Sequence, residues 1–338
     1  MARRSSGDDS PVSTCDVILR LGNPTVLALT ATASGDVARD IATQLPITTC
    51  VFDRTDRPNL AVDDRRGLKF REDYLANLIA NGEKTVVYVN SRSSSVALAR
   101  ALRSKVPQLA LMIGFYNAGL SREERTRIEE MFRDGHLTTL IATSAFGEGV
   151  NIPDIRHVVL YHLPYNEIEF NQMSGRAGRD GAPAGVHLLY TRKDSEINES
   201  TLEQMTPDRD QMAQVYRALR DAQREVGAGF FTASNADVAM RASKSGREVS
   251  QDSVKCAIEV FRELGLIETH SAYTSGEVVR SVHVVSDACK VELSDSVRYR
   301  EGLAERAVFQ DFKAAALNEP AASLEQHVQR PILPGCAV

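Results

Sequence analysis

The sequence lacks the features that would tie it to a membrane, a disulfide framework or a zinc site. It has five cysteines in 338 residues, and the two closest, Cys256 and Cys289, are 33 positions apart. Zinc sites and redox motifs need closely spaced cysteines, so we expect reduced thiols and no metal site. No apolar run is long enough to span a bilayer, and no apolar signal segment follows Arg3 and Arg4. These absences predict a cytoplasmic protein.

A strong excess of charge of either sign is also absent. The formal net charge is −5, which gives no global signature of nucleic-acid binding, so any such surface has to be a local patch. The chain is long enough, and at 43% hydrophobic residues apolar enough, for two domains with extensions.

Residues 138–191 alternate short apolar runs with polar loops. The apolar runs are Leu140–Ala142, His157–Tyr161 and Val186–Tyr190. They are branched or aromatic and are bounded by Gly, Pro, Asn and Asp, which predicts buried strands of a parallel sheet. Ligands of open parallel sheets bind outside the carboxyl ends of the strands, so the loop from Thr143 to Asn151 is predicted to lie at a binding edge.

A helix is predicted between the second and third of these strands. Asn166, followed three residues later by Glu169, indicates its start, and it is expected to continue into the pentapeptide GRAGR at 175–179. Arg176 and Arg179 would then leave one face of the helix, where guanidinium groups suit phosphate oxygens. The pentapeptide alone fits two solvated arginines at a helix end equally well.

Five segments in a fixed order carry a resemblance to a known family. They are LTATA at 29–33, VVYVNSR at 86–92, FYNAGL at 115–120 with Arg122–Phe132 behind it, AFGEGVNIP at 145–153 and QMSGRAGRDG at 172–181. In this order they resemble motifs III, IV, IVa, V and VI of superfamily 2 helicases, and the last two are similar to those of RecQ-type DNA helicases. The resemblance covers residues 24–194. It implies an α/β fold, a RecA-like doubly wound parallel sheet, in the C-terminal part of an ATP-dependent 3′–5′ DNA helicase of repair or recombination.

The resemblance also implies a role for individual residues. In the catalytic group, Arg179 would be the arginine finger, together with Arg176 and Gln172. ATP would be bound by Gly147, Gly149 and Asn151, and the coupling pair would be Thr30 and Thr32. The DNA-binding group would consist of Asn90, Ser91, Arg92, Asn117, Thr143 and Ser144. Glu148 departs from the family pattern, because many relatives have Arg or Met there. Two simpler interpretations stay open, since Ser91 also fits helix capping and Asn151 also fits a turn asparagine before Pro153.

The first half of an ATP site is missing from the sequence. It contains no GxxxxGK[ST] phosphate loop and no acidic DEAD- or DEAH-like tetrad after an apolar strand. Those motifs hold the phosphates and the magnesium ion. ATP with Mg²⁺ is therefore expected as cofactor only if lobe 1 is supplied in cis or in trans, and single-stranded and duplex DNA are the expected partners. The alternative is a non-catalytic DNA-binding or scaffolding subunit.

The composition divides the chain into segments. These are a disordered N-terminus at 1–23, the end of lobe 1 at 24–52 (strand Thr25–Leu29, helix Asp36–Leu45, strand Ile47–Phe52), a linker at 53–69, lobe 2 at 70–194, connecting helices at 195–229, a winged-helix-like domain at 230–288 and a helical tail at 289–338. Within lobe 2, before the strands given above, we expect helix Arg71–Ile79, strand Thr85–Val89, helix Ser93–Leu102, strand Leu109–Ile113 and helix Arg122–Phe132.

Residues 230–288 resemble the winged helix of RecQ-type helicases. The predicted elements are helices Asp237–Ala242 and Asp252–Leu264 and two β-rich runs, Leu266–Thr269 and Val278–Val285. Such modules dock a helix in the major groove, but a module used only for protein contacts remains an alternative, and the zinc-binding cysteines usual in RecQ-type proteins are not here. One helix is expected at 295–317. The ending RPILP is similar to modules fused behind RecJ-type exonucleases, so a RecJ-type nuclease is a further candidate partner.

Overall fold

The computed structural model describes residues 14–29, 35–45, 47, 49–51, 55–147, 150–227, 229–244, 246–274, 277–285 and 291–330. The chain divides into two compact units, which are residues 1–189 together with 319–338 (unit 1) and residues 190–318 (unit 2).

The helices, in chain order, are α1 Thr14–Arg20, α2 Gly35–Gln44, α3 Arg71–Ile79, α4 Arg92–Lys105, α5 Arg122–Arg133, α6 Glu167–Ser174, α7 Arg192–Met205, α8 Arg209–Val226, α9 Asn235–Ser243, α10 Gln251–Glu263, α11 Val297–Asn318 and α12 Ala321–Gln329. The strands are β1 Leu60–Asp64, β2 Thr85–Tyr88, β3 Ile113–Tyr116, β4 Thr139–Ala142, β5 His157–Leu160, β6 Ala184–Leu188, β7 Phe231–Thr232, β8 Ile267–Thr274 and β9 Glu277–Val284. No helix in these described ranges combines the length and apolar character that a membrane crossing needs.

Unit 1 is built on a six-stranded parallel sheet with the strand order β1-β6-β5-β2-β4-β3. Strands β2 and β4 are buried along their whole length. Alternate residues of a strand point to opposite faces, so Val87 and Ile141 pack with helices α3 and α4, while their neighbours Val86 and Leu140 face the other layer. The doubly wound parallel sheet predicted from the sequence is confirmed.

Strand β1 corrects the predicted linker. Residues 60–64 lie inside the segment expected to be an interlobe connection, yet they pair with β6 from Leu60 opposite Ala184 to Asp64 opposite Leu188. The sheet therefore begins at residue 60 and not after residue 70. Only Leu60 of this strand is buried, because β1 lies at the edge of the sheet, and an edge strand carries too little apolar pattern to stand out in a charged segment.

The strand predicted at Leu109–Ile113 is also wrong. Residues 107–112 form a 3₁₀ helix with Pro107 at its start, and β3 begins at Ile113. Leu111, expected inside a buried strand, is 93% exposed. Proline fixes its own φ and lacks a backbone N–H, which suits the first turn of a helix.

The N-terminal region differs most from expectation. Helix α2 is present as predicted, but the described residues of both flanking strand predictions, 25–29 and 47 with 49–51, are not in strands. Leu27, Leu29 and Val51 are 79%, 83% and 91% exposed. Isolated strands are not stable, since their backbone groups need partners from a sheet. Residues 14–20, expected to be disordered, form α1.

Unit 2 contains helices α7–α11 and a three-stranded antiparallel sheet with the order β7-β9-β8. The two helices and two strands expected between 235 and 285 are present. Their core joins Leu219 of α8, Val254 and Phe261 of α10 and Val282 of β9. The long C-terminal helix is confirmed as α11, but α12 belongs with unit 1 and is not part of one continuous tail.

Candidate active site of unit 1

The predicted DNA-binding residues follow three neighbouring strands. Residues 90–92 come after β2, Asn117 after β3, and residues 143–144 after β4. Because β2, β4 and β3 are adjacent in the sheet, their carboxyl ends bring these loops to the same edge. The amide N–H of Thr143 donates to the carbonyl of Tyr116 (3.1 Å), which joins two of the loops directly.

Several of these side chains hold the loops in shape. Ser91 caps α4, and its Oγ accepts the amide N–H of Ser94 at 3.0 Å. Asn90 Nδ2 donates to the carbonyl of Leu163 at 2.8 Å. Asn117 is 5% exposed, and its Oδ1 accepts the Gly119 amide N–H at 2.9 Å. These contacts give the three residues a structural role, whereas their DNA contacts stay a prediction.

Arg92 and Ser144 are the members of the group that are exposed on the surface. Arg92 is the first residue of α4, where the free amide groups of the helix favour an anion. Ser144 begins the turn that follows β4. The side chains best placed to reach a phosphate backbone are thus one guanidinium and one hydroxyl.

The pentapeptide GRAGR does not continue the helix, which corrects the prediction. Asn166 Oδ1 accepts the Glu169 amide N–H at 2.8 Å and starts α6 as expected, but the helix ends at Ser174 and residues 175–180 are turns. Gly178 has a φ of +51°, and a β-carbon there would lie 2.8 Å from the Ala182 carbonyl oxygen. After Ser174 the amide N–H groups of Arg176 and Ala177 bond to carbonyls three residues back, those of Met173 and Ser174. At Gly178 the chain then turns in a left-handed conformation that glycine adopts without strain. We call residues 175–181 the arginine loop.

Arg176 is held against the loop that follows β4. Its Nη1 donates to the carbonyl of Val150 at 3.0 Å, and its guanidinium lies directly over Gly147. Beneath them the Tyr88 hydroxyl donates to the carbonyl of Phe146 at 3.2 Å. Gly147, predicted to bind nucleotide, therefore leaves the space in which Arg176 lies.

Arg179 is exposed and weakly held. Its Nε donates to the Gly175 carbonyl at 3.2 Å, and its Nη1 is 3.4 Å from Asn151 Oδ1, which is long for a hydrogen bond. Desolvation, followed by the charges of Arg176 and Arg57, lowers the pKa of Arg179. Three neighbouring guanidinium groups without a carboxylate in these contacts form a site suited to a polyanion.

Arg57 is a functional candidate that the sequence did not indicate. Its Nη1 donates to the carbonyl of Gly175 at 2.8 Å, and its Nη2 donates to the carbonyl of Ala177. Burial lowers the pKa of Arg57. Two residues later, Asn59 Nδ2 donates to the carbonyls of Gly178 (2.9 Å) and Ala182 (3.0 Å). The carbonyl partners of Arg57 and Asn59 lie 118 to 123 positions further along the chain, too far for a local sequence pattern to connect them.

A cavity of about 370 Å³ lies beside the arginine loop. Among its lining residues are Tyr88, Ser144, Gly147, Glu169, Gln172 and Arg176, so four predicted site residues meet here. Burial raises the pKa of Glu169, whose Oε2 accepts the Tyr165 amide N–H at 2.8 Å. Glu148, Gly149, Thr30 and Thr32 lie outside the residues that the structure describes.

Comparison with known proteins identifies the domain. The family described as the helicase conserved C-terminal domain matches residues 71–181. The probable ATP-dependent DNA helicase RecS of Bacillus subtilis (strain 168) is 35% identical over 205 residues, 59% of this chain and 41% of the relative. The ATP-dependent DNA helicase RecQ of Pasteurella multocida (strain Pm70) is 32% identical over 172 residues, which are 50% of this chain and 27% of the relative.

The ATP-dependent DNA helicase RecQ of Bacillus subtilis (strain 168) is 31% identical over 186 residues, 54% of this chain and 30% of the relative. The chain thus spans less than half the length of these relatives. The family match at 71–181 includes the loops that carry Gly147, Arg176 and Arg179, so this part of the chain is similar to the conserved C-terminal domain of helicases.

Proposed function

We propose that this chain supplies the second RecA-like lobe of an ATP-dependent 3′–5′ DNA helicase of RecQ type. The observation that carries the proposal is the arrangement of Arg57, Arg176 and Arg179 around the arginine loop, where Arg176 also contacts the loop that follows β4. Arg176 is fixed by Val150 and Gly147, whereas Arg179 is exposed and held by contacts of 3.2 and 3.4 Å. One arginine is therefore preorganised, and the other is free to turn toward a phosphate group.

When bound, ATP with Mg²⁺ would supply the phosphoryl group for transfer to water. Arg179 would stabilise negative charge that develops on the oxygens around the transferred group. Arg176 would contact the same phosphates from its fixed position, and Gln172 extends the polar surface one helical turn earlier. Asn151, whose Oδ1 faces Arg179, would contact the sugar.

Lobe 1 is required for this chemistry. The sequence contains no phosphate loop, and among the residues that the structure describes there is no group of three or more His, Cys, Asp or Glu side chains able to hold a metal ion. We assign the phosphate loop and the magnesium ligands to lobe 1, in the same polypeptide or in another. Thr30 and Thr32 would couple nucleotide state to DNA binding.

DNA binding is assigned to both units. In unit 1, Arg92, Ser144 and Thr143 would contact the backbone of single-stranded DNA, supported by Asn90, Ser91 and Asn117. In unit 2, the order α8-β7-α9-α10-β8-β9 with an antiparallel sheet β7-β9-β8 supports a winged helix in which α10 is the recognition helix. These surfaces together would engage single-stranded and duplex DNA during unwinding.

The test is restoration of lobe 1. Lobe 1 of the RecS relative, fused before residue 55, should give ATP hydrolysis of about 1 s⁻¹ or faster with single-stranded DNA, and unwinding of a duplex with a 3′ tail. The unfused chain should hydrolyse no ATP. As a control, the same lobe 1 fused to its own lobe 2 shows that the fusion site is tolerated. Activity of the control without activity of the chimaera, at equal DNA affinity, would favour a non-catalytic DNA-binding subunit.

A further inference from the structure

The C-terminal helix α12 covers the free edge of the sheet in unit 1. Strand β1 lies at that edge, where its outward backbone groups lack a neighbouring strand. Glu325 Oε2 accepts the amide N–H of Val62 at 2.9 Å, and Gln329 Nε2 donates to the carbonyl of Leu60 at 2.8 Å. Two side chains of α12 thus replace the hydrogen bonds that another strand would make.

Apolar contacts and a hydrogen bond complete the docking of α12. Leu324 and Val328, one turn apart, are 3% and 5% exposed. His327 Nδ1 is 2.9 Å from Glu167 Oε1, and Glu167 is the first residue of α6. Helix α12 therefore contacts both β1 and the helix that leads into the arginine loop.

A continuous chain of hydrogen bonds connects α12 to the arginine loop. The carbonyl of Gln329 accepts the amide N–H of Arg57 at 2.8 Å. The guanidinium of Arg57 in turn donates to the carbonyls of Gly175 and Ala177, which flank Arg176 in the chain. A second path connects α12 to the same loop, from His327 through Glu167 and α6.

We propose that α12 is a positioning element for the arginine loop, acting through Arg57 on one path and through Glu167 on the other. The consequence for turnover rests on the function proposed above, whereas the structural coupling does not. Helix α12 contributes no group to the site itself. It fixes the backbone from which Arg176 and Arg179 project, and such geometry controls the rate of a transfer step more than the affinity for substrate.

The first experiment needs no lobe 1. Hydrogen exchange of the backbone amides at 175–181 is compared between the full chain and His327→Ala, Gln329→Ala and a variant ending at Asn318. We expect exchange in the loop to rise about tenfold or more in the truncated variant, since local opening becomes easier when packed contacts are lost, and less in the point variants. Gln326→Ala, an exposed neighbour on α12, is the matched control and should change nothing.

Controls separate local coupling from loss of the fold. Amides of β2 and β4, in the centre of the sheet, should keep their protection in each variant. If the truncated variant loses protection there as well, the two point variants decide the question. Unchanged exchange at 175–181 in His327→Ala and Gln329→Ala, with α12 shown to be locally loosened, overturns the proposal.

The second experiment uses the lobe 1 fusion. His327→Ala and Arg57→Lys should lower kcat for ATP about tenfold while the KM for ATP and the affinity for single-stranded DNA stay within about twofold. His327→Gln, which keeps a donor that can reach Glu167, should recover part of the loss. Faster loop exchange together with an inactive wild-type fusion would refute the proposed function and leave the coupling intact. Unchanged exchange with an active fusion would refute only the coupling.

Discussion

The guanidinium of Arg176 occupies the space above Gly147 in which any other residue would place its β-carbon. A β-carbon at that position would lie 2.6 Å from Nη2, 2.7 Å from Cζ and 2.8 Å from Nε of Arg176. Real β-carbons do not approach so closely, and Arg176 is held in place by the carbonyl of Val150. The glycine in the loop after β4 and the first arginine of the arginine loop therefore depend on each other.

Gly147→Ala should displace Arg176 and lower turnover of the lobe 1 fusion by about 10²-fold, the size expected when a positioned group is shifted by about 1 Å. Gly147 has a φ of +137°, so some loss of stability from backbone strain is also expected. Gly135→Ala is the matched control, because Gly135 has a φ of +81° and nothing within 4 Å of its β-position. Both variants should melt earlier in thermal unfolding. Equal turnover in the two variants would contradict the dependence of Arg176 on Gly147.

Arg179→Ala should lower ATP turnover of the fusion by roughly 10³ to 10⁵, the range for arginine fingers. The DNA affinity should hardly change, because Arg179 is assigned to the phosphates of the nucleotide. Arg179→Lys should not restore activity, since an ammonium lacks the planar fork that engages two oxygens. Steady-state hydrolysis and DNA binding by fluorescence anisotropy are measured in one buffer, since DNA affinity depends on salt. Arg133→Ala serves as the control. Near-normal turnover of Arg179→Ala together with weakened DNA binding would reassign Arg179 to DNA contact.

The elements of unit 1 with a strong local pattern could be predicted from the sequence. Helix α3 has the expected bounds, and β2, β4, β5 and α5 differ from them by one residue at most. Each has a buried apolar run or a capping residue nearby, such as Ser121, whose capping box with Glu124 starts α5. The candidate site residues were proposed by resemblance, because five ordered motifs carry more information than any single spacing.

The features that escaped prediction depend on contacts between distant parts of the chain. Strand β1 is recognisable only through its pairing with β6, and the role of Arg57 only through carbonyls more than 100 positions away. A helix pattern at 321–329 gives no indication of the surface that α12 covers. Helix α6 ends at Ser174, and the chain turns at Gly178 in a left-handed conformation that the sequence permits but does not require.

Removal of residues 1–54 should improve the solution behaviour of the chain. Leu27, Leu29 and Val51 are 79% to 91% exposed, and exposed apolar surface promotes association. A shortened chain starting at Thr55 should show less static light scattering on concentration and a constant molecular mass. Shortening retains Arg57 and the whole sheet. Equal scattering of the two proteins would show that these residues are covered in solution.

A row of titratable side chains crosses one face of the sheet near β5 and β6. His157 Nδ1 is 3.0 Å from His187 Nε2, and His157 Nε2 is 2.9 Å from Glu83 Oε2. The Tyr74 hydroxyl lies 2.8 Å from His187 Nδ1 and 2.5 Å from Asp63 Oδ2. His187 is therefore enclosed between a second histidine and a tyrosine that is itself bound to a carboxylate.

The stability of the chain should fall as the pH drops from about 6.5 to about 4. Burial, and next the charge of His157, lowers the pKa of His187 to about 4. Between these pH values His187 is protonated in the unfolded chain but stays neutral in the folded chain. The free energy of unfolding therefore falls by up to about 3 kcal/mol toward the acid end of this range. The lowered pKa of Asp63 extends the loss to lower pH, because its carboxylate is protonated more readily in the unfolded chain. Urea unfolding at pH 7 and pH 4.5 measures the difference in the free energy of unfolding. This difference should be smaller in His187→Gln. It should be unchanged in His136→Gln, the control, because His136 is exposed. The same pH dependence in His187→Gln and the wild type would assign the effect to other groups.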